Sequence, residues 1–266
     1  MTTTTHRLEA QGTQGAVPAL GGLNPTLLRL EVRRLLRNRR TLVFAVIMPV
    51  AFFFMFGTGQ SYSNQDAGHG NVAAYVMIDL ALYGAMLSTT SAGAMVSVER
   101  AQGWSRQLRL TPLTSAAYIA VKVLVALVLA AISIVVTYGA AALGGARAEP
   151  AVWVETAMAV WIGSLVFAAF GVFMGYLLPS ENVMQVLGPV LALFAFLGGI
   201  FVPLEQLGHA FQEVATVTPM YGLGELVRTP LTGDAPGWAA VVNVAVWFAV
   251  FVGGAVWRFG RDTARV

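Results

Sequence analysis

The sequence predicts an all-α polytopic membrane protein with six transmembrane helices, and three observations lead there. Of its 266 residues 57% are hydrophobic and only 11% charged, against roughly a quarter charged in soluble domains. Apolar runs long enough to cross a hydrocarbon core recur from residue 41 to residue 257. The basic residues between those runs fall overwhelmingly on alternate loops, as the positive-inside rule requires of a chain that crosses repeatedly.

Taken in order, the runs are 41–58, 72–98, 117–142, 153–178, 183–203 and 237–257. Seven arginines precede the first run, three lie in the 99–116 loop and three follow the last run. The alternate loops hold none, Arg147 and Arg228. Both termini are therefore expected in the cytoplasm, with the chain in a bacterial inner membrane. Trp238 and Trp257 bracket the sixth run at the depth indole rings favour. Residues 1–23, rich in Thr, Gly and Gln, read as a disordered cytoplasmic tail, and 24–266 as a single transmembrane domain. Arg33-Arg34 before an apolar run has the form of a twin-arginine signal. About forty residues precede that run and five further spans follow it, so the first span is expected to be retained.

Composition excludes several chemistries. The chain has no cysteine, so thiolate metal sites, disulfides and cysteine nucleophiles are absent. None of His6, His69 and His209 is followed by Glu, so there is no HExxH helix. The single lysine, Lys122, follows Val121, whereas a phosphate-binding loop needs Gly immediately before its Lys. Neither metal, nucleotide nor nucleic acid is expected on this chain, and no catalytic residues are assigned.

Two segments that do not span carry more information. From Pro25 to Arg40, Arg29, Arg33, Arg37 and Arg40 recur at helical spacing on one face, with Leu28, Val32 and Leu35 on another. That phase predicts an amphipathic helix lying in the membrane plane; a plain positive-inside anchor would explain the charges but not their phase. After Pro203 the chain is too polar to cross. Leu204, Leu207, Phe211, Val214 and Val217 stand there at near-helical spacing, and two short helices separated by Pro219 fit. The segment reads as a re-entrant outer cap between spans five and six, an ordinary outer loop being the plainer alternative.

The loop between spans two and three is the most specific feature. It runs VERAQGWSRQLRLTPLTSAAYIAVK from Val98 to Lys122. Glu99, Arg100, Gly103, Leu108, Thr111, Pro112 and Leu113 match the pattern ER-x-x-G-x-x-x-x-L-x-x-TP-(L)-S, with Thr114 in place of the usual Ser. This resembles the cytoplasmic coupling helix of ABC-2 type exporter permeases. The run LEVRRLLRNRRTLVFAVIMPVAFFFMFG, with Pro49 in mid-span, is similar to the same family's N-terminal connecting helix and first span. GGIFVPLEQLGHAFQEVATVTPMYGLGELVR is similar to its re-entrant segment through Gly198, Gly199, Pro203, Leu207, Pro219, Glu225 and Arg228. Gly208 stands there where the family usually has Pro.

The resemblance implies the ABC-2, or type V exporter, fold and a division of labour. A separate ABC ATPase subunit would bind Mg-ATP, and two copies of this chain would form a homodimeric pathway in the lipid bilayer. Glu99, Arg100, Gly103, Arg106, Leu108, Thr111 and Pro112 would couple to the ATPase. Gly103 would allow close approach, and Thr111-Pro112 would end the coupling helix. Arg29, Arg33, Arg37 and Arg40 would supply a second ATPase contact or bind anionic lipid. The outer segment would act as a gate. The implied function is export of a hydrophobic or amphiphilic drug or antibiotic, as in daunorubicin-resistance permeases; a lipid or glycolipid cargo stays open. A secondary transporter would need intramembrane ion ligands or repeated broken helices, and an embedded enzyme would need convergent catalytic groups; the sequence has neither.

Polar groups within spans draw attention because charge in hydrocarbon is costly. Lys122, one turn into span three, is expected to snorkel to the interface. Asp79 and Glu155 near the outer ends of spans two and four either reach the interface or form an acidic vestibule. Phe52 and Phe201, among the aromatics of spans one and five, are candidates with Asp79 for a substrate pathway. Gly171-x-x-x-Gly175 suggests close helix packing, within or between protomers.

Overall fold

The computed structural model describes residues 25–103 and 114–263. The helices are α1 (Pro25–Leu36), α2 (Arg39–Leu42), α3 (Met48–Phe52), α4 (Val72–Ala101), α5 (Ser115–Leu143), α6 (Pro150–Leu177), α7 (Val183–Leu197), α8 (His209–Thr216), α9 (Pro219–Thr232) and α10 (Trp238–Thr263). Among the described residues the fold is all-α. Four helices are long and apolar enough to cross a membrane, spanning Val72–Ala101, Ala117–Leu143, Pro150–Leu177 and Trp238–Arg261. Two shorter apolar stretches, Val43–Gly57 and Val183–Leu197, occupy the places of the first and fifth expected spans. The proposed tail, residues 1–23, lies outside the described residues.

Helix α4 is the axis of the bundle. It is buried along nearly its whole length, on both its apolar and its small polar residues, and α5 and α6 pack along it. Glycines set how closely α6 approaches. A Cβ on Gly93 would lie 2.6 Å from the Val172 nitrogen, and one on Gly175 3.2 Å from the Gly93 carbonyl oxygen. Gly171 is pressed against the Thr90 backbone. The Gly171-x-x-x-Gly175 pair therefore serves contact within the chain, since small residues let two backbones meet where no hydrophobic force separates lipid from protein. Thr90 Oγ1 donates across this seam to the Phe167 carbonyl at 3.3 Å.

The first apolar run is helical but irregular. π-helical turns at Val43–Ile47 and Phe53–Gly57 flank α3. Pro49 has no N–H to offer the carbonyl four residues back, that of Ala45. Ser133 Oγ on α5 donates to that oxygen at 2.5 Å, and Gly84 on α4 leaves room for both groups. In a water-free core such a freed carbonyl needs an internal donor, and a serine on the neighbouring helix provides it.

Helix α7 is 15 residues long, about 22 Å by helical rise and short of a ~30 Å hydrocarbon core. The expected run to 203 is cut at Gly198-Gly199. Gly199 adopts φ +73°, the Gly199 N–H donates to the Phe196 carbonyl and the Ile200 N–H to that of Ala195, the two bonds that close a helix in a Schellman turn. Beyond it α8 and α9 are separated at Thr218-Pro219, as the sequence predicts, and α9 folds back against α10, α6, α4 and α7.

At the end of the bundle remote from Gly103 and Thr114, the 58–71 loop is sewn to its neighbours by Asn71. Its side chain caps α4 by accepting from the Ala74 N–H at 3.0 Å, accepts from the Arg147 N–H and donates to the Gly145 carbonyl. The His69 N–H donates to Leu231 O at the end of α9.

Replacing Gly93 with Val drives two methyls into the α6 backbone. It is expected to cost about 1–3 kcal/mol by overpacking, read as a lower unfolding temperature of the detergent-solubilised chain; an unchanged transition would refute the glycine seam.

Candidate functional site

Two clusters of charged residues lie at opposite ends of α4. The first sits at the end of α4 and the start of α5. Glu99 is almost wholly buried on the last turn of α4. Lys122, 3% exposed, is seven residues into α5 and holds two carboxylates: Glu99 at 2.5 Å and Glu31 of α1 at 2.8 Å. Tyr118, one turn before Lys122, donates its hydroxyl to the other Glu99 oxygen. Arg34 of α1 reaches Glu99 at 3.2 Å from the solvent side, its side chain 46% exposed. Two carboxylates and two cations balance, so three helices close on a neutral cluster whose donors and acceptors are mutually satisfied.

The expectation that Lys122 snorkels is thus overturned. A lysine reaches for the interface when burial would leave it unpaired; here two acids on adjacent helices meet it in place. Glu31 was missed in the sequence, although it lies on α1 three residues from Leu28 and four from Leu35, within the apolar flank.

Arg100, next to Glu99, points the other way. It donates to the Gly175 and Tyr176 carbonyls at 3.1 Å each and lies 5.3 Å from the Tyr176 ring centroid. It therefore binds the last carbonyls of α6, where a cation is favoured by the helix dipole. Gly103 has φ +74°, and no described residue lies within 4 Å of where its Cβ would be. Its left-handed conformation favours glycine where α4 ends, its N–H bonded to the Arg100 carbonyl. Arg106, Leu108, Thr111, Pro112 and Leu113 lie outside the described residues. Thr114 caps α5 by accepting from the Ala117 N–H at 3.2 Å.

Helix α1 is shorter than its arginine pattern suggests. Leu35 is buried, with Leu28 and Val32 packed beside it against α5, while Arg29, Arg33 and Arg37 are exposed. The helix stops at Leu36 and a turn through Arg37-Asn38 intervenes, so Arg40 belongs to α2 and not to the same helical face. Asn38 competes poorly inside helices and suits the corner between the two.

The second cluster gathers residues far apart in sequence. Arg228 of α9 donates Nε to Asp79 Oδ1 at 2.7 Å and Nη2 to the Gly198 carbonyl at 3.1 Å, and its guanidinium stands 5.1 Å from the Tyr75 ring centroid. Asp79 is 2% exposed. It is a partner held by Arg228, not an open acid in a vestibule, while Glu155 is exposed near the start of α6. One turn beyond Asp79, Tyr83 meets Phe201 at 5.2 Å, and Phe201 meets Phe52 at 5.9 Å, with Phe56 a further 5.9 Å from Phe52. Phe201 thus links Phe52 to Tyr83, which stands four residues after Asp79 in α4 and was legible only through that spacing.

The remaining residues of the outer segment are placed as follows. Gly198 abuts the Met220 side chain and Pro219 opens α9 at its first position. Pro203 precedes a short 3₁₀ turn, Leu204–Gln206, ended by Leu207. Glu225 lies on α9, its carbonyl accepting from Thr229 Oγ1. Gln212 Nε2 donates to the Leu204 and Leu207 carbonyls at 3.1 and 2.9 Å, fastening α8 to the turn before it. Gly208 at the head of α8 has φ −62° and ψ 152°, a conformation proline also adopts.

Two outcomes follow. Lys122→Met leaves Glu31 and Glu99 one cation short, with only the half-exposed Arg34 beside them, and is expected to cost about 3–5 kcal/mol, most of it recovered when both acids are also replaced by Gln; thermal unfolding of the single and triple variants checks this. Gly208→Pro is expected to stabilise by about 0.4–1 kcal/mol by restricting the unfolded chain; a fall in unfolding temperature would contradict the backbone geometry.

The chain was compared with known proteins. It is 26% identical over 224 residues to YvfS of Bacillus subtilis (strain 168), provisionally named a transport permease, in a match covering 84% of this chain and 91% of that one. Residues 24–231 match the ABC-2 type transporter family, a stretch that contains both charged clusters and the motif between α4 and α5. The chain belongs to the ABC-2 type transporter family and is a multi-pass membrane permease.

Proposed function

We propose that this chain is the transmembrane subunit of an ATP-driven exporter, moving a hydrophobic or amphiphilic small molecule outward across the inner membrane. A separate ABC ATPase would bind and hydrolyse Mg-ATP. The observation that carries this reading is the buried Glu99–Lys122–Glu31 cluster, built on the Glu99 that opens the ER…TP motif. In this reading Val43–Gly57 and Val183–Leu197 complete six spans, both termini face the cytoplasm, α8 and α9 form a re-entrant outer cap, and two copies pair around the pathway.

The mechanics follow from the clusters. Thrust on residues 104–113 from a closing ATPase dimer reaches α4 and α5 together, because both flank the loop. Lys122 binds α1 into the same body, so α1 moves with them, and displacement relative to the first span accumulates at the Arg37-Asn38 turn. At the outer end the same α4 holds α9 through Asp79 and Arg228. A shift of α4 therefore loads the outer cap as well. The aromatic row Phe56, Phe52, Phe201 and Tyr83 beside that ion pair supports a cargo with apolar surface.

The test is affinity purification of the chain from its native membrane, followed by identification of the partner and assay of vanadate-sensitive ATPase activity. An ABC ATPase is expected to co-purify, and Arg106→Glu is expected to lower hydrolysis-linked efflux at least tenfold while the chain stays in the membrane. A chain that purifies alone and moves solutes without ATP would overturn the proposal.

A further inference from the structure

A cavity of about 480 Å³ opens along the exposed apolar side of α5, lined by Leu28, Leu124, Val128, Ala131, Val135 and Trp161 among others. Its walls come from three elements. Leu28 closes one end from α1, α5 forms the floor, and Trp161 of α6 forms the side, its indole pinned by donating to the Leu127 carbonyl at 2.9 Å. The lining is apolar throughout. From Leu124 to Val136 the floor runs twelve residues, about 18 Å by helical rise, which is close to the ~15 Å half-thickness of a hydrocarbon core. The groove therefore has the length of one leaflet.

The end that Leu28 closes is charged. Arg29 and Arg33, one turn apart on α1, are exposed and carry no carboxylate partner among the described residues. Arg29 directly follows the groove-lining Leu28 in sequence and Arg33 comes one helical turn later, so exposed basic residues of α1 adjoin the end of the groove that Leu28 forms. Arg34 and Lys122 are already neutralised by Glu31 and Glu99, so the charge left over among the described residues of this flank belongs to Arg29, Arg33 and, past the end of α1, Arg37; of these Arg29 and Arg33 lie nearest Leu28 in the chain. We propose that the α1–α5–α6 groove is a binding site for an anionic glycerophospholipid of the leaflet on the α1 side, its acyl chain along Leu124–Val136 and its phosphate at Arg29 and Arg33. The site is separate from the aromatic row and the outer ion pair, and does not depend on which cargo is exported.

Native mass spectrometry of the full, delipidated chain titrated with palmitoyl-oleoyl phosphatidylglycerol or palmitoyl-oleoyl phosphatidylcholine tests this. Phosphatidylglycerol is expected to be retained with about thirtyfold preference, the scale two juxtamembrane arginines contribute at about 1 kcal/mol each. Arg29→Gln with Arg33→Gln is expected to abolish the preference without removing the first bound lipid. Ala131→Trp fills the groove and is expected to remove that lipid in either series. Equal retention of the two lipids by the wild-type chain, or a preference untouched by the arginine pair, overturns the proposal. So does loss of chain–chain pairing in Ala131→Trp, which would assign the groove to a second copy. The arginine pair lies on the surface and decides the matter alone should Ala131→Trp fail to fold.

Discussion

A single lysine meeting two glutamates inside the bundle is the constraint on which the arrangement at the loop end rests. Lys122, Glu99 and Glu31 come from three helices, and none is tolerable there without the others, because an uncompensated ion in so dry a place costs several kcal/mol. Such pairs are weak as net stabilisers against an apolar alternative, but strict about position: the three helix ends can meet in one register only. Tyr118 and Arg34 complete the acceptor set of Glu99 from two sides. Arg100 then fixes the same turn of α4 to the end of α6, so the last turn of α4 is tied to α1, α5 and α6 at once.

Helix α4 extends this order across the fold. Asp79 and Glu99 are twenty residues apart, about 30 Å by helical rise, and each anchors a different element. Between them α4 presents small residues, Gly84, Thr90 and Gly93, at which α5, α6 and the first apolar run come close enough for backbone contact. A helix that is tightly packed in the middle and ion-paired at both ends acts as a strut. Motion imposed at one end is carried to the other rather than lost in side-chain rearrangement.

Much of this was legible in the sequence and some was not. The long helices announced themselves through length and hydropathy, and the break between α8 and α9 through Pro219. The loop motif drew attention to Glu99 and Arg100, and the outer segment to Arg228. Residue type alone could not show which charges pair, because partners lie between 23 and 149 positions apart in the sequence for Lys122–Glu99 and Arg228–Asp79. Lys122 was misread for that reason: its sequence neighbours are apolar, and both of its acids come from other helices. The positive backbone angle of Gly103 was not legible either, since a glycine's residue type does not show which conformation it adopts. The stop of α7 was hidden because Gly198 and Gly199 sit inside an apolar run whose hydropathy continues past them.

The irregular winding of the first apolar run has a consequence for how the chain can change over time. A π turn is an α turn carrying one extra residue, so Val43–Ile47 and Phe53–Gly57 each hold a residue that can be lost with the flanking helix keeping its phase. In α4 the loss of one residue between Asp79 and Glu99 would instead rotate one charge against the other by about 100° and break both clusters' alignment. Length variation among descendants of this sequence is thus steered toward the run beside Pro49, while the strut keeps its count.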